Sequence, residues 1–240
     1  MIDLNIFGCN IAGESAGSLW IDLVKAVTEH GDVTFDEGRK RLSVQNVRLH
    51  SEKTNETDDF IDKYANKKNI QEILKLTFEE PVMHDIDVNP SFGDGAKSYY
   101  QRLLDTRAIE FVVNRLSLIP ESKKAVVVFP NKDDYEAVLN NPWNDYLPCI
   151  VAVQFRMVPN GGSGRYKLNT VFFARSIDAY QKSIGNLVAI AHMAEMVRGQ
   201  ITEKTGREIS LGALDGFITD AHIYEENFDE ARKMLKDATK

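Results

Sequence analysis

Three apolar runs, close together in the chain, set the strongest limit on its fold. Ala125-Val126-Val127-Val128-Phe129, residues 150–158 and residues 166–174 are short and rich in β-branched and aromatic side chains. Such runs read as buried strands. The last two are separated by Pro159-Asn160-Gly161-Gly162-Ser163-Gly164-Arg165. This stretch has the glycines of a phosphate loop but not its Lys-Ser/Thr ending, and its place between two strands predicts a β-hairpin turn. Next, Ile184, Leu187, Val188, Ala191, Ala194 and Val197 recur at spacings of three and four, which predicts a helix over 184–200. His192, Met193 and Met196 fall inside that pattern and read as packing residues.

The flanking regions are mixed. Leu19, Leu23 and Val27, with Trp20 and Val24 beside them, predict a core-facing helix over 16–27. Residues 42–49 read as a strand and the polar span 51–69 as a solvated helix or loop. A helix over 108–116 ends near Pro120, a strand is expected at 209–214, and a charged helix closes the chain from Asn227 to Lys240. With no Gly, Pro or Ser-rich linker and no internal repeat, residues 1–240 read as one domain mixing helices and strands.

Composition narrows the class. The chain has 240 residues, 43% of them hydrophobic and 27% charged, as in an ordinary globular protein. No stretch approaches the roughly 18 apolar residues of a membrane span, and Met1–Asn10 lacks the basic and apolar regions of a secretory leader. Two cysteines form neither a disulfide framework nor a zinc pattern, so no metal site is expected and a cytoplasmic location is. The formal charge of −7 argues against non-specific nucleic-acid binding. A small anionic ligand is still compatible, with Gly38-Arg39-Lys40-Arg41 and Lys123-Lys124 as the basic clusters to meet it.

One cysteine stands out by position. Cys149 follows Tyr146-Leu147-Pro148 and directly precedes the strand at 150, where a thiol can be held rigidly at the edge of a cleft. Alone it reads as an inert buried thiol. Polar residues then recur at the ends of apolar segments: Gln154-Phe155, Arg175-Ser176-Ile177-Asp178, Gly185-Asn186 and Asp220-Ala221-His222-Ile223-Tyr224. Arg175 closes Thr170-Val171-Phe172-Phe173-Ala174, where packing does not explain an arginine. Each has a bland alternative: Arg175 as an ion-pair partner, His222 as a packed histidine, Asp220 as a cap.

Together these motifs resemble the thymidylate synthase and pyrimidine nucleotide hydroxymethylase superfamily. The resemblance rests on Pro148-Cys149 with Gln154-Phe155, on Arg175-Ser176-x-Asp178 with Asn186 eight residues after Asp178, and on Asp220-x-His222-x-Tyr224. It is clearest over 98–228 and closest to the compact archaeal branch. It implies an α/β (α+β) fold, a large, mostly antiparallel sheet flanked by helices, and a homodimer formed through that sheet. It further implies that Cys149 is the nucleophile at C6 of a uracil nucleotide and that Tyr99 assists proton removal at C5. Arg175 and Ser176 are expected on phosphate, with Arg41, Lys123 and Lys124 as further basic contacts. Gln154 is expected beside the pyrimidine, Asn186 on the base edge, His222 and Tyr224 on the sugar hydroxyl, and Asp178 on the folate ring. The co-substrate implied is 5,10-methylenetetrahydrofolate and the substrate a pyrimidine nucleoside monophosphate, with neither nucleic acid nor membrane as partner.

The chemistry suits these residue types. Forming a carbon bond at C5 requires an electron-rich ring, which thiolate addition at C6 provides, and a neighbouring cation favours the thiolate. Arg175 can supply that charge and grip a phosphate bidentately. Several positions depart from the family pattern. Ile150 replaces a histidine, Lys123-Lys124 replace paired arginines, Phe129-Pro130-Asn131 stands where a tryptophan is usual, and Lys182 replaces a glycine near the folate pocket. The glutamate motif is not recognisable, leaving Glu72, Glu79 and Glu80 as candidates for the general base. Methylation of dUMP is the first expectation. A hydroxymethylase on dUMP or a related pyrimidine nucleotide, or a non-catalytic nucleotide-binding protein, are the alternatives.

Overall fold

In a computed structural model, which describes residues 1–5, 8–93, 95–141, 146–161 and 164–238, the apolar runs pair into one nine-stranded sheet. Its strands are β1 (Ile2–Asn5), β2 (Gly8–Gly13), β3 (Asp32–Asp36), β4 (Arg39–Ser51), β5 (Val126–Val128), β6 (Ile150–Pro159), β7 (Arg165–Ala174), β8 (Ile177–Asp178) and β9 (Glu208–Tyr224). The main path runs β1-β2-β4-β9-β7-β6-β5, with β3 on β4 and β8 on β9. Most pairs are antiparallel; β2 with β4, and both β7 and β8 with β9, are parallel. The sheet is thus large and mostly antiparallel, as the motifs imply.

The helices are α1 (Ala16–His30), α2 (Asp59–Tyr64), α3 (Lys67–Phe78), α4 (Tyr99–Thr106), α5 (Ala108–Leu118), α6 (Lys132–Asn140), α7 (Ser183–Thr205) and α8 (Phe228–Ala238). Among the described residues, α7 is the longest helix, and its Ile184, Leu187, Val188, Ala191, Met193, Ala194, Val197 and Ile201 are all buried. It packs on α1, α3, α5 and β9, and ends where Gly206 adopts the left-handed conformation (φ +68°) that a side chain disfavours. Gly185 lets α3 come close, because a Cβ there would lie 2.3 Å from Ile73 Cδ1. His192 leaves the buried stripe. Half-exposed, it packs edge-on against Phe78 and sets Nδ1 3.1 Å from Glu56.

The hairpin expected at 159–165 joins β6 to β7, although Gly162 and Ser163 lie outside the described residues, as do the last two residues of the closing helix. The expected strand at 209–214 is only the start of the 17-residue β9. The expectation stopped short because polar residues in its second half, Asp215, Thr219 and Asp220, interrupt the apolar run. The polar span 51–69 holds α2 and the start of α3, both opened by side-chain caps, Asp58 on Ile61 N–H and Asn66 on the Lys68 and Asn69 N–H groups.

Two helices near the cysteine are locked by charge. Arg102 on α4 is 2% exposed and donates from Nη2 to Asp134 Oδ1 on α6 at 2.7 Å, with Nη1 on the other carboxylate oxygen. Tyr99 lies one turn earlier on α4. Removing one partner of such a pair leaves an uncompensated buried charge. Asp134→Ala should therefore lower unfolding stability by about 3–5 kcal/mol, read from the denaturant midpoint. A loss under about 1 kcal/mol would show that water reaches the pair.

Candidate active site

Four strand ends converge where β6 begins. The Arg175 N–H donates to the Cys149 carbonyl at 3.0 Å, so thiol and guanidinium leave adjacent backbone positions. The guanidinium folds back over the loop before the cysteine, Nε donating to Pro148 O (3.2 Å) and Nη2 to Leu147 O (2.7 Å). The next N–H along, that of Ile150, donates to the Tyr99 hydroxyl at 2.9 Å. Burial, followed by the nearby Cys149 charge, pushes the Tyr99 phenol pKa up, which favours its neutral form.

The third motif lies one strand further. The parallel pairing of β8 with β9 sets Asp178 beside His222. The Ser176 hydroxyl is 3.3 Å from His222 Nδ1. Asp178 is 3% exposed, and its Oδ1 accepts from the Tyr180 and Gln181 N–H groups at 2.9 and 2.7 Å. Tyr224 donates to Asp36 Oδ2 at 2.7 Å while the Arg39 guanidinium covers its ring at 3.7 Å. Behind His222, Asp220 accepts from Ser43 Oγ (2.9 Å) and Arg41 Nη2 (2.8 Å).

These groups enclose a cleft of about 530 Å³ whose lining includes Cys149, Arg175, Ser176, Asp178, His222 and Tyr224. A small cavity of about 40 Å³ adjoins it at Cys149 and is shared by Tyr99, Tyr146, Lys182 and Asn186. Among the described residues, no group of three or more His, Cys, Asp or Glu is placed to hold a metal ion. Of the expected site residues, Cys149, Tyr99, Arg175, Ser176, Asp178, Asn186, His222 and Tyr224 come together around these two spaces. Arg41 stands one layer back, on Asp220.

Three residues lie elsewhere. Gln154 alternates with the fully buried Val153 and Phe155, so it points to the other face of the sheet, where its amide donates to Lys123 O at 2.8 Å. Lys123 and Lys124 are exposed beside it. Within this chain, none of the three lines the cleft. The general-base candidates also lie off the cleft. Glu72 pairs with Lys75 at 2.9 Å and stands 3.8 Å from His84, and neither Glu79 nor Glu80 lines either space.

The irregular segment between α3 and α4 supplies residues that no motif marks. Phe92 packs on Tyr146 with ring centroids 4.7 Å apart. Asp85 and Asp87, both with side chains 1% exposed, take the Lys182 ammonium between them at 2.7 and 2.9 Å. Burial foremost, then the charges of Asp178 and Asp85, push the Asp87 carboxyl up to about 6 against the pull of Lys182. Lys182 itself is raised: burial works against its charge, but the two aspartates outweigh it. The only sequence signal for this cluster was Lys182 in place of a glycine.

The chain is also similar to known proteins. Residues 44–240 match the family model described as Thymidylate synthase. A protein of Methanothermobacter marburgensis, named "Putative thymidylate synthase", is 30% identical over 147 residues, 61% of this chain and 56% of that protein. One of the same name from Methanothermobacter thermautotrophicus is 29% identical over 128 residues, 53% of this chain and 50% of that protein. The chain thus spans about half the length of the curated relatives it matches. It belongs to the thymidylate synthase family.

The support behind His222 has a testable charge. Burial opposes ionisation of Asp220, but hydrogen bonds from His222 and Ser43 and the charge of Arg41 hold its pKa below the usual carboxylate value. A carboxylate lowered on folding contributes stability that is present above its unfolded pKa, about 3.9, and lost as pH falls through the folded value. Asp220→Asn should therefore be less stable than the natural chain at pH 7, with the gap closing as pH falls below about 4. Denaturant midpoints across that range read it. A gap unchanged by pH would assign the loss to packing rather than charge.

Proposed function

We propose that this protein transfers a one-carbon unit from 5,10-methylenetetrahydrofolate to C5 of a uracil nucleotide, most readily dUMP to dTMP. The observation that carries this reading is the convergence of Cys149, Arg175, Ser176, Asn186 and His222 on the cleft and the small cavity that adjoins it at Cys149, from four separate elements. In this reading the Cys149 thiolate forms a bond to C6, and the C5=C6 π pair moves toward C5 and the conjugated carbonyl oxygen. The enriched C5 bonds to the one-carbon unit, whose two bonds to folate nitrogens break in turn with the electron pairs left on nitrogen, the second as the C5 proton is lost. Addition of hydride, or of water, to the resulting exocyclic carbon then shifts the π pair back into the ring, which breaks the S–C6 bond and frees the thiolate. In the same reading Tyr99, kept neutral by burial beside Cys149, relays the C5 proton. Arg175 and Ser176 hold the phosphate, Asn186 reads the O4/N3 edge, and His222 and Tyr224 hold the sugar hydroxyl.

The cleft suits the co-substrate. Asp178 lies on its floor, and Phe92, Tyr146, Leu147 and Val138 make an apolar wall against which a flat ring can lie. When bound, the folate supplies the methylene carbon and, for a methyl product, the hydride.

A second reading, hydroxymethylation, is favoured by the Lys182–Asp85–Asp87 cluster on the wall beside Cys149. Charged groups retain water, and water in place of hydride gives a hydroxymethyl product. Incubation with 5-fluoro-dUMP and methylenetetrahydrofolate should leave a covalent adduct on Cys149, seen as an intact-mass increase lost in Cys149→Ser. Absence of that adduct would sink both readings. The mass of the product from dUMP then separates methyl from hydroxymethyl.

A homodimer through the open face of the sheet belongs to the same proposal. That face presents Val126, Val128, Val171 and Phe173, all more than a third exposed, and Phe173 stacks on Phe217. Lys123 and Lys124 stand on the same side, from which they can reach a partner's phosphate site. Sedimentation should give twice the chain mass of 27.1 kDa. A monomer with full activity would remove the lysines from phosphate binding.

A further inference from the structure

The Lys182 side chain enters the functional site from a direction no motif foresees. It stands at the last position before α7, and it lines both the large cleft and the small cavity, as Cys149 does. Its ammonium has three N–H donors. Among the described residues, hydrogen bonds take up two of them, to Asp85 Oδ1 and Asp87 Oδ2. The carboxylates are anchored in turn. Asp85 Oδ2 accepts from the Ser91 N–H at 2.7 Å, Asp85 Oδ1 from the Asp87 N–H at 3.1 Å, and Asp87 Oδ1 from Gln181 Nε2 at 3.4 Å. The ammonium is therefore fixed and partly desolvated, and it shares the lining of both spaces with the Cys149 thiol.

We propose that Lys182 is a catalytic residue of this site, donating its third N–H to the pyrimidine carbonyl that gathers charge as Cys149 adds to the ring, with Asp85 and Asp87 as positioning residues. The proposal rests on the reading given above. As the S–C6 bond forms, the displaced π pair becomes an enolate whose oxygen accepts the Lys182 hydrogen bond. The proton stays on Nζ, and the interaction relaxes when the S–C6 bond breaks. A preorganised donor aimed at developing charge is the arrangement that speeds such steps. Other titratable groups line the two spaces with the pair: His84, Asp85 and Asp87 from the loop, Asp36 from β3 with Glu37 after it, Arg39 from β4, Arg175 from the end of β7, Asp178 from β8 and His222 from β9. The phenols of Tyr99 and Tyr146 stand behind.

Two measurements on the full chain test it. The first needs no nucleotide: the rate of Cys149 alkylation by iodoacetamide against pH, with peptide mapping to separate it from the buried Cys9. Lys182→Met should move the profile to higher pH and Asp87→Asn to lower pH, because one removes a cation beside the thiol and the other an anion. The second is release of tritium from C5 of labelled dUMP with methylenetetrahydrofolate. Lys182→Met should lower kcat by about 10²–10³-fold with little change in KM, the loss typical of one such donor, and Lys182→Arg should recover part of it. If Lys182→Met alone fails to fold, Lys182→Met with Asp87→Asn removes one charge of each sign and should show the same kcat loss. Superimposed alkylation profiles, or tritium release by the methionine variants at the natural rate, would overturn the proposal. If the natural chain forms no 5-fluoro-dUMP adduct, the functional reading fails and the carbonyl role with it. The alkylation shift then decides by itself whether Lys182 governs the thiol.

Discussion

The register of five strands, β4, β6, β7, β8 and β9, governs everything else in the site. β6 starts where the antiparallel β7 ends, so Cys149 and Arg175 become backbone neighbours. The parallel pairing of β7 and β8 with β9 carries the chain from Arg175 past Ser176 and Asp178 beside Asp220 and His222. β4, antiparallel to β9, brings Ser43 opposite His222 and Arg41 opposite Tyr224. Because side chains alternate along a strand, a slip of one residue in any of these pairs would turn the whole set to the other face. The buried Val153, Phe155, Leu168, Phe172, Leu214 and Ile218 oppose that slip. Core packing thus aims the polar residues.

This explains which parts of the fold and site the sequence made legible. The strands at 125–129, 150–158 and 166–174, and the helix at 184–200, carry strong apolar periodicity and stand close to where they were expected. Arg175, Asn186 and His222 could be singled out because each interrupts or ends such a pattern. β9 was read short for the same reason: a strand wet on one face looks broken when polar residues cluster on it. β1, β2 and β3 are short and partly exposed, so they left little periodic trace. The segment from 79 to 98 has no period, and a bend in it, rather than any regular element, delivers Asp85, Asp87 and Phe92. Gln154 shows the opposite case. Its motif position was clear, but strand alternation sends its side chain to the far face.

The energetics of the Lys182 cluster set it apart from the rest of the core. Three ionised groups out of water cost several kcal/mol each before their mutual attraction offsets the loss, and apolar residues of like volume often serve stability as well or better. Arg102 with Asp134 is a one-to-one pair that joins two helices. Lys182 with two carboxylates is not balanced in charge, and burial foremost, then the charges of Asp178 and Asp85, raises the Asp87 carboxyl. Two carboxylates sharing one ammonium hold it tightly while leaving a donor to spare. That geometry serves a cleft better than it serves a core.

In the proposed reaction, the same cluster bears on the fate of the nucleotide after Cys149 has added to it. Hydride transfer needs a wall that sheds water from the new exocyclic carbon, whereas hydroxymethylation needs a wall that holds it. Phe92 and Tyr146, packed against each other in the lining of the cleft, provide the first kind of surface, and Lys182 with its aspartates the second. They are neighbours: the Lys182 ammonium lies 5.6 Å from the centre of the Phe92 ring. The loop that carries Phe92 also carries Asp85 and Asp87, so the aromatic wall and the seat of the ammonium share one segment of backbone. Dryness and charge at Cys149 are therefore not independent in this chain. A substitution that alters one alters the other, and the product formed reports the balance between them.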